Sequence, residues 1–164
     1  MNIYIIDTSS LIELNRRYPI DVFPTLWEKV EKLIRKGQFI SHTEVLKEIS
    51  RRDDALTRWA KKQKKLFRET DGKQALIVKE ILKKYPSLIK SEEEQSGADP
   101  FIIALAVGLA DDTQMTLQPV VKSKIIVTEE KLRGNRVRIP FVSKDYSIEC
   151  IDIIAMCRAE GWKF

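Results

Sequence analysis

Residues Ile3-Tyr4-Ile5-Ile6 run apolar without a break and end at once in an acid, Asp7. A strand that is apolar at every position needs cover on both faces. That is the situation of a central strand in a parallel sheet with helices on either side. Asp7 then stands where the strand emerges, at the carboxyl edge where open α/β sheets bind their ligands. Thr8, Ser9 and Ser10 follow, small hydroxyl residues that start a helix over Leu11-Ile12-Glu13-Leu14. Two roles are open to Asp7. It can cap that helix, or it can hold a divalent cation beside backbone N–H groups and hydroxyls.

The remainder of the chain alternates between the two periodicities. Leu26, Trp27, Val30, Leu33 and Ile34 recur at helical spacing, so residues 25–36 are read as an amphipathic helix, with Gly37 as its terminator. Gln38-Phe39-Ile40 is a short second strand, and Ser41 or Thr43 caps a helix that turns Val45, Leu46 and Ile49 inward. A basic amphipathic helix is expected over residues 51–68, followed by a helix carrying Ala75, Leu76, Val78, Ile81 and Leu82 up to Tyr85-Pro86. The whole stretch from the second strand to Asp99 therefore reads as a helical insertion, closed by an acidic loop at 91–96. Gly97-Ala98-Asp99-Pro100 opens an apolar helix over 101–109, and residues 111–119, with Asp111 and Asp112, read as a polar connection. A strand over 124–128 ends in Glu129-Glu130, and Arg133-Gly134-Asn135-Arg136 is a basic turn. Residues 139–142 and 148–151 read as extended, and Ile153, Ile154, Met156 and Cys157 as a last helix. The expected fold is one domain over 1–164: an α/β three-layer sandwich with a mostly parallel sheet of about four to five strands, right-handed crossovers and a helical insertion.

Composition narrows the function classes. The chain has 164 residues, 43% of them hydrophobic and 32% charged, enough for one core and a well-solvated surface. Its net charge of +5 is compatible with a polyanionic partner. Cys150 and Cys157 are seven apart, which on one helix is too far for a disulfide, so they read as free, buried thiols of a reducing compartment. A single histidine, His42, read as a surface loop residue, rules out a His-rich zinc site. No apolar run reaches membrane-spanning length and no signal segment opens the chain, so the expectation is a cytoplasmic protein without a membrane partner.

The acids fall at element ends. Asp7 ends the first strand, Glu48 lies in the helix after the second, Asp99 begins a helix, and Glu129-Glu130 follow a strand. Each has a plain alternative: surface residue for Glu48, N-cap before Pro100 for Asp99, first-turn acid for Glu129 and Glu130. If the strands are parallel neighbours, however, all of these ends share one edge. Crowded carboxylates repel unless a cation neutralises them, and oxygen-only ligands suit Mg²⁺ or Mn²⁺.

On these residues the chain resembles a PIN domain, the nuclease fold of many RNA-processing enzymes and of toxins in type II toxin–antitoxin pairs. The resemblance runs through Tyr4-Ile5-Ile6-Asp7-Thr8-Ser9, Ile40-Ser41 to Val45-Leu46-Lys47-Glu48-Ile49, Gly97-Ala98-Asp99-Pro100-Phe101-Ile102-Ile103-Ala104 and Ile126-Val127-Thr128-Glu129-Glu130. It implies a Mg²⁺- or Mn²⁺-dependent endoribonuclease acting on single-stranded RNA, with Asp7, Glu48 and Asp99 as metal ligands and Glu130 as fourth catalytic acid. Thr8, Ser9 and Thr128 match supporting hydroxyl positions. The family has Asp where this chain has Glu130, whose longer side chain leaves direct and water-mediated metal contact both open. Glu44 is a rival to Glu48, and Glu129 to Glu130. Partners implied are RNA, an antitoxin protein and a second copy of the chain. The basic run, with Lys61, Lys62, Lys64 and Lys65, is the expected RNA contact, its alternative being a solvated helix face. Trp59 is expected in the core. The contrasting function is a PIN-like RNA- or protein-binding module without nuclease activity. A phosphatase or nucleotide-binding protein is disfavoured, since no Gly-rich phosphate loop is present.

Overall fold

The structure, a computed structural model, describes residues 1–52, 54–89, 97–114 and 123–164. The loop expected at 91–96 and the connection at 115–119 lie outside them.

Strand β1 (Asn2–Ile6) is the middle of a five-stranded, wholly parallel sheet. Tyr4, Ile5 and Ile6 are fully buried, as the unbroken apolar run requires. β1 pairs on one side with β2 (Phe39–His42), which pairs with β3 (Phe67–Arg68). On the other side it pairs along its whole length with β4 (Ser123–Val127), and β4 with β5 (Glu149–Ile151). The order is thus β3-β2-β1-β4-β5. The chain steps outward from β1 to β3, then crosses back to the far side of β1. Connections leaving β1 and β4 therefore diverge, and a crevice opens at their carboxyl ends.

Helices cover both faces of the sheet. Helix α1 (Thr8–Arg17) follows β1, and α2 (Pro24–Arg35) packs on β2. Gly37, at φ +72°, ends α2: its N–H donates to Ile34 O and the next N–H, of Gln38, to Leu33 O. Helix α3 (Thr43–Ser50) leads to α4 (Ala55–Lys62), whose Trp59 meets Trp27 of α2 edge-on at 4.7 Å, in the core as expected. Helix α5 (Gly72–Lys84) packs on α6 (Asp99–Gln114), which crosses β1, β2 and β4. Residues Ile102 to Ala106 of α6 are all buried, consistent with an apolar segment that has no polar face. Helices α7 (Ile139–Asp145) and α8 (Ile153–Ala159) flank β5 in sequence.

Several sequence expectations are corrected. The basic helix stops at Lys62, and Phe67-Arg68 form β3, so the insertion is not wholly helical. The exposed edge of β2 captures this segment: Ser41 N–H donates to Leu66 O at 2.7 Å, which a continuing helix could not accept. Residues 139–142 are helical rather than extended. Helix α6 runs on through Asp111 and Asp112 to Gln114. His42 is 2% exposed rather than on a surface loop, stacked on Phe101 at 4.9 Å. It also takes the capping role expected of Ser41 or Thr43, its Nδ1 accepting from Glu44 N–H at 3.1 Å. Cys150 lies on β5 and Cys157 on α8, both free and half-buried, rather than on one helix face. Among the described residues no helix is long and apolar enough to cross a membrane.

Candidate active site

Asp7 sits at the switch point between β1 and β4, 3% exposed, with its carboxylate fully occupied by donors. One oxygen, Oδ1, accepts from Ser10 N–H at 2.8 Å and caps α1. The other, Oδ2, accepts from Thr128 Oγ1 at 2.6 Å, across the β1–β4 seam. Ser9 Oγ lies 2.9 Å from both oxygens. The two hydroxyls are themselves oriented, since Ser9 Oγ accepts from Glu129 N–H and Thr128 Oγ1 from Glu130 N–H, each at 3.1 Å. The turn after β4 thus aims two O–H groups at one carboxylate. Even so, burial outweighs these bonds and raises the Asp7 carboxyl from its ordinary 3.8 to about 6, with the charge of Glu130 adding to the rise. The cap and the site are therefore the same side chain.

Glu48 reaches this edge from α3. Its Oε2 accepts from Thr8 Oγ1 in a short hydrogen bond, and its Oε1 accepts from Ala98 N–H at 3.0 Å. Ala98 immediately precedes Asp99, the first residue of α6, which is 8% exposed. Contact therefore passes from Asp7 through its neighbour Thr8 to Glu48, and from Glu48 through Ala98 to its neighbour Asp99. These hydrogen bonds link three segments that each carry one of the expected acids. Glu44, the rival to Glu48, is engaged with Lys47 at 2.6 Å on α3.

The fourth position is different. Glu130 Oε2 accepts from Ile139 N–H at 3.1 Å, and Oε1 stands 3.6 Å from Arg138 Nη1. Its neighbour Glu129 accepts from Ile153 N–H at 3.1 Å. Both carboxylates thus satisfy backbone donors at helix N-termini, of α7 and α8, where the helix dipole favours an anion. Glu130 acts on Asp7 through its charge, not by contact.

Among the described residues no group of three or more His, Cys, Asp and Glu side chains is placed to hold a metal ion. The donor chemistry nonetheless fits a hard cation. All the side-chain donors gathered here are oxygens, and the buried Asp7 carries a charge that only hydroxyls and one amide balance. Asp7, Glu48 and Asp99 are the residues that the resemblance assigns to Mg²⁺ or Mn²⁺.

Next to Ser9 lies a cavity of about 740 Å³ whose walls carry Arg17, Arg133, Arg136 and Arg138 beside Glu129 and Glu130; Asp7, Glu48 and Asp99 are not in its lining. The arginines of this wall were legible only as a basic turn. Nothing local in the sequence joins them to the crevice, because the Glu130–Arg138 contact that does so depends on α7 folding. Lys61 and Lys62, by contrast, end α4, and Lys64 and Lys65 lie in the connection that enters β3 from its amino side.

No match was found among curated proteins or among solved structures. The sequence model of a domain of unknown function, DUF4411, matches residues 4–164. That match takes in β1 from Tyr4, every later strand and the arginine turn, and on it the chain belongs to the DUF4411 family.

Proposed function

We propose that this chain is a PIN-like endoribonuclease that uses Mg²⁺ or Mn²⁺ to cleave single-stranded RNA. The observation that carries the reading is the buried, hydroxyl-oriented Asp7 at the switch point, joined through Thr8 and Ala98 to Glu48 and Asp99. A divalent cation held there would supply an activated water and neutralise charge on the phosphate. Asp7, Glu48 and Asp99 would hold the cation. Ser9 and Thr128 fix the rotamer of Asp7, so that its oxygens are already placed before substrate arrives. Glu130 deepens the negative field and ties the arginine wall to the site through Arg138. In a reducing cytoplasm the same activity would serve as the toxin of a type II pair, restrained by an antitoxin. Induced expression then arrests growth, and Asp99→Asn relieves the arrest.

The decisive experiment measures melting and cleavage together. Mn²⁺ binds only the folded site, so at a hundredfold excess over its Kd it stabilises wild type by about 2.7 kcal/mol. Wild type should cleave a single-stranded ribo-oligonucleotide with Mn²⁺ and stop on addition of EDTA. Asp99→Asn should lose both the cleavage and the Mn²⁺-induced rise in melting temperature. Cleavage that survives in Asp99→Asn, or a wild type whose melting ignores Mn²⁺, overturns the proposal.

A further inference from the structure

The cations that line the cavity next to Ser9 are unequally engaged. Arg17 is paired with Glu13 at 2.7 Å, Lys131 with Asp152 at 3.1 Å, and Arg138 with Glu130 at 3.6 Å. Arg133 and Arg136 line the same cavity, and among the described residues neither forms an ion pair. Both are exposed. They leave one tight turn: Arg136 N–H donates to Arg133 O at 3.2 Å, and Gly134 reverses the chain at φ +56°. One bond ties the two ends of the turn together: Ile139 N–H, after it, donates to the Glu130 carboxylate before it. Two guanidinium groups without ion-pair partners are thus held on a short loop that lines the cavity beside Ser9, the residue that contacts Asp7.

Such an arrangement answers an electrostatic problem. A site of three carboxylates repels a phosphate chain, and cations close by must offset that repulsion before any phosphate can reach Asp7. Guanidinium forks match phosphate oxygens two by two. Unpaired arginines lose no protein partner when they take up that contact, whereas Arg17 and Arg138 would have to break theirs.

We propose that Arg133 and Arg136 form a phosphate clamp for single-stranded RNA, binding two backbone phosphates next to the one presented at the Asp7 crevice. The identity of the strand rests on the nuclease reading above. The lysines of α4 and of the connection into β3 are not part of the clamp.

The test reads binding apart from cleavage. A fluorescently labelled single-stranded ribo-oligonucleotide is titrated with the full chain in EDTA, over a range of salt concentrations. Each phosphate contact on a single strand contributes about 0.7 to the slope of log affinity against log salt. The double variant Arg133→Ala, Arg136→Ala should therefore bind with a slope shallower by about 1.4, which is a loss of about 25-fold at about 0.1 M salt. Its melting temperature should match wild type, because both side chains are exposed and without ion-pair partners. The double variant Arg133→Lys, Arg136→Lys keeps the charges and should keep most of the slope. Replacing Lys61, Lys62, Lys64 and Lys65 by Ala should leave the slope at its wild-type value. An alanine double variant with the wild-type slope overturns the clamp, as does a wild type that binds no RNA, or a lysine variant that takes the slope instead. Cleavage is scored separately with Mn²⁺. Arginine-dependent binding without any cleavage overturns the nuclease reading and leaves the clamp. Cleavage with no arginine dependence of binding overturns the clamp alone.

Discussion

Replacing Asp7 by Asn keeps the shape of the side chain and removes a charge that the metal-free fold tolerates badly. Burial lifts the Asp7 carboxyl to about 6 from its ordinary 3.8, in spite of the donors around it. In the unfolded chain the group returns to its ordinary value. Between these limits the folded protein binds more protons than the unfolded one, so stability falls as pH rises through that window. Above about pH 6 the full penalty applies, about 3 kcal/mol from that difference. Asn resembles the protonated acid and escapes the penalty. Its amide keeps an oxygen for Ser10 N–H and the Ser9 hydroxyl, but its N–H₂ faces Thr128 Oγ1, which must turn from donating to accepting at a cost of about 1 kcal/mol. The net gain is about 2 kcal/mol at about pH 7.5, or about 4–8 °C in melting temperature for a chain of this length. The measurement is a melting series in EDTA from about pH 4.5 to about pH 7.5 on wild type and Asp7→Asn. The variant should melt higher at the alkaline end and converge on wild type at the acid end. A variant that melts below wild type near neutrality, or keeps its advantage unchanged in acid, refutes the idea that the site stores an unbalanced charge.

Two further outcomes are expected. Glu48→Ala removes the acceptor of both Thr8 O–H and Ala98 N–H, and should cost about 1–3 kcal/mol in urea unfolding, whereas Glu48→Gln, which keeps an acceptor for Ala98, should cost less. His42 is buried, and burial holds its ring below the ordinary 6.5, so the fold favours the neutral form and loses stability as pH falls through that value. His42→Asn retains a capping acceptor for Glu44 N–H and should flatten this acid-side loss; an unchanged pH profile would count against the buried, neutral ring.

How far the fold could be read from the chain depended on how local its causes are. β1 and β4 were legible because their apolar runs do not alternate, and Asp7 because it ends one of them. Helix α2 was legible from its period and from Gly37. β3 was not, since Leu66 and Phe67 fit a helical period as well as a strand, and the edge of β2 decides between them. Helix α7 was missed for a similar reason: Ile139-Pro140-Phe141-Val142 looks extended, and the acceptor that starts the helix comes from Glu130. His42 looked like a surface residue until Phe101, far along the chain, covered it. At the site, element-end position singled out Asp7 and Asp99, while Glu48 and Thr128 came from the resemblance; hydrogen bonds join Asp7 to Ser9 and Thr128, and Thr8 to Glu48. The employment of Glu130 by Arg138 and Ile139 was not legible, because it belongs to a turn whose geometry is tertiary.

The seam between β1 and β4 also governs when the site can exist during synthesis. Asp7 and its partner Thr128 are 121 residues apart in sequence. Until β4 has left the ribosome, the first strand lacks a neighbour on one side and Asp7 lacks both Thr128 and the backbone amide that orients Ser9. A nascent chain therefore carries the acids but not their arrangement, and a parallel pairing over so long a loop forms late and slowly. Any truncation that removes the chain beyond β3 leaves the sheet without its central pairing and the crevice without one of its walls.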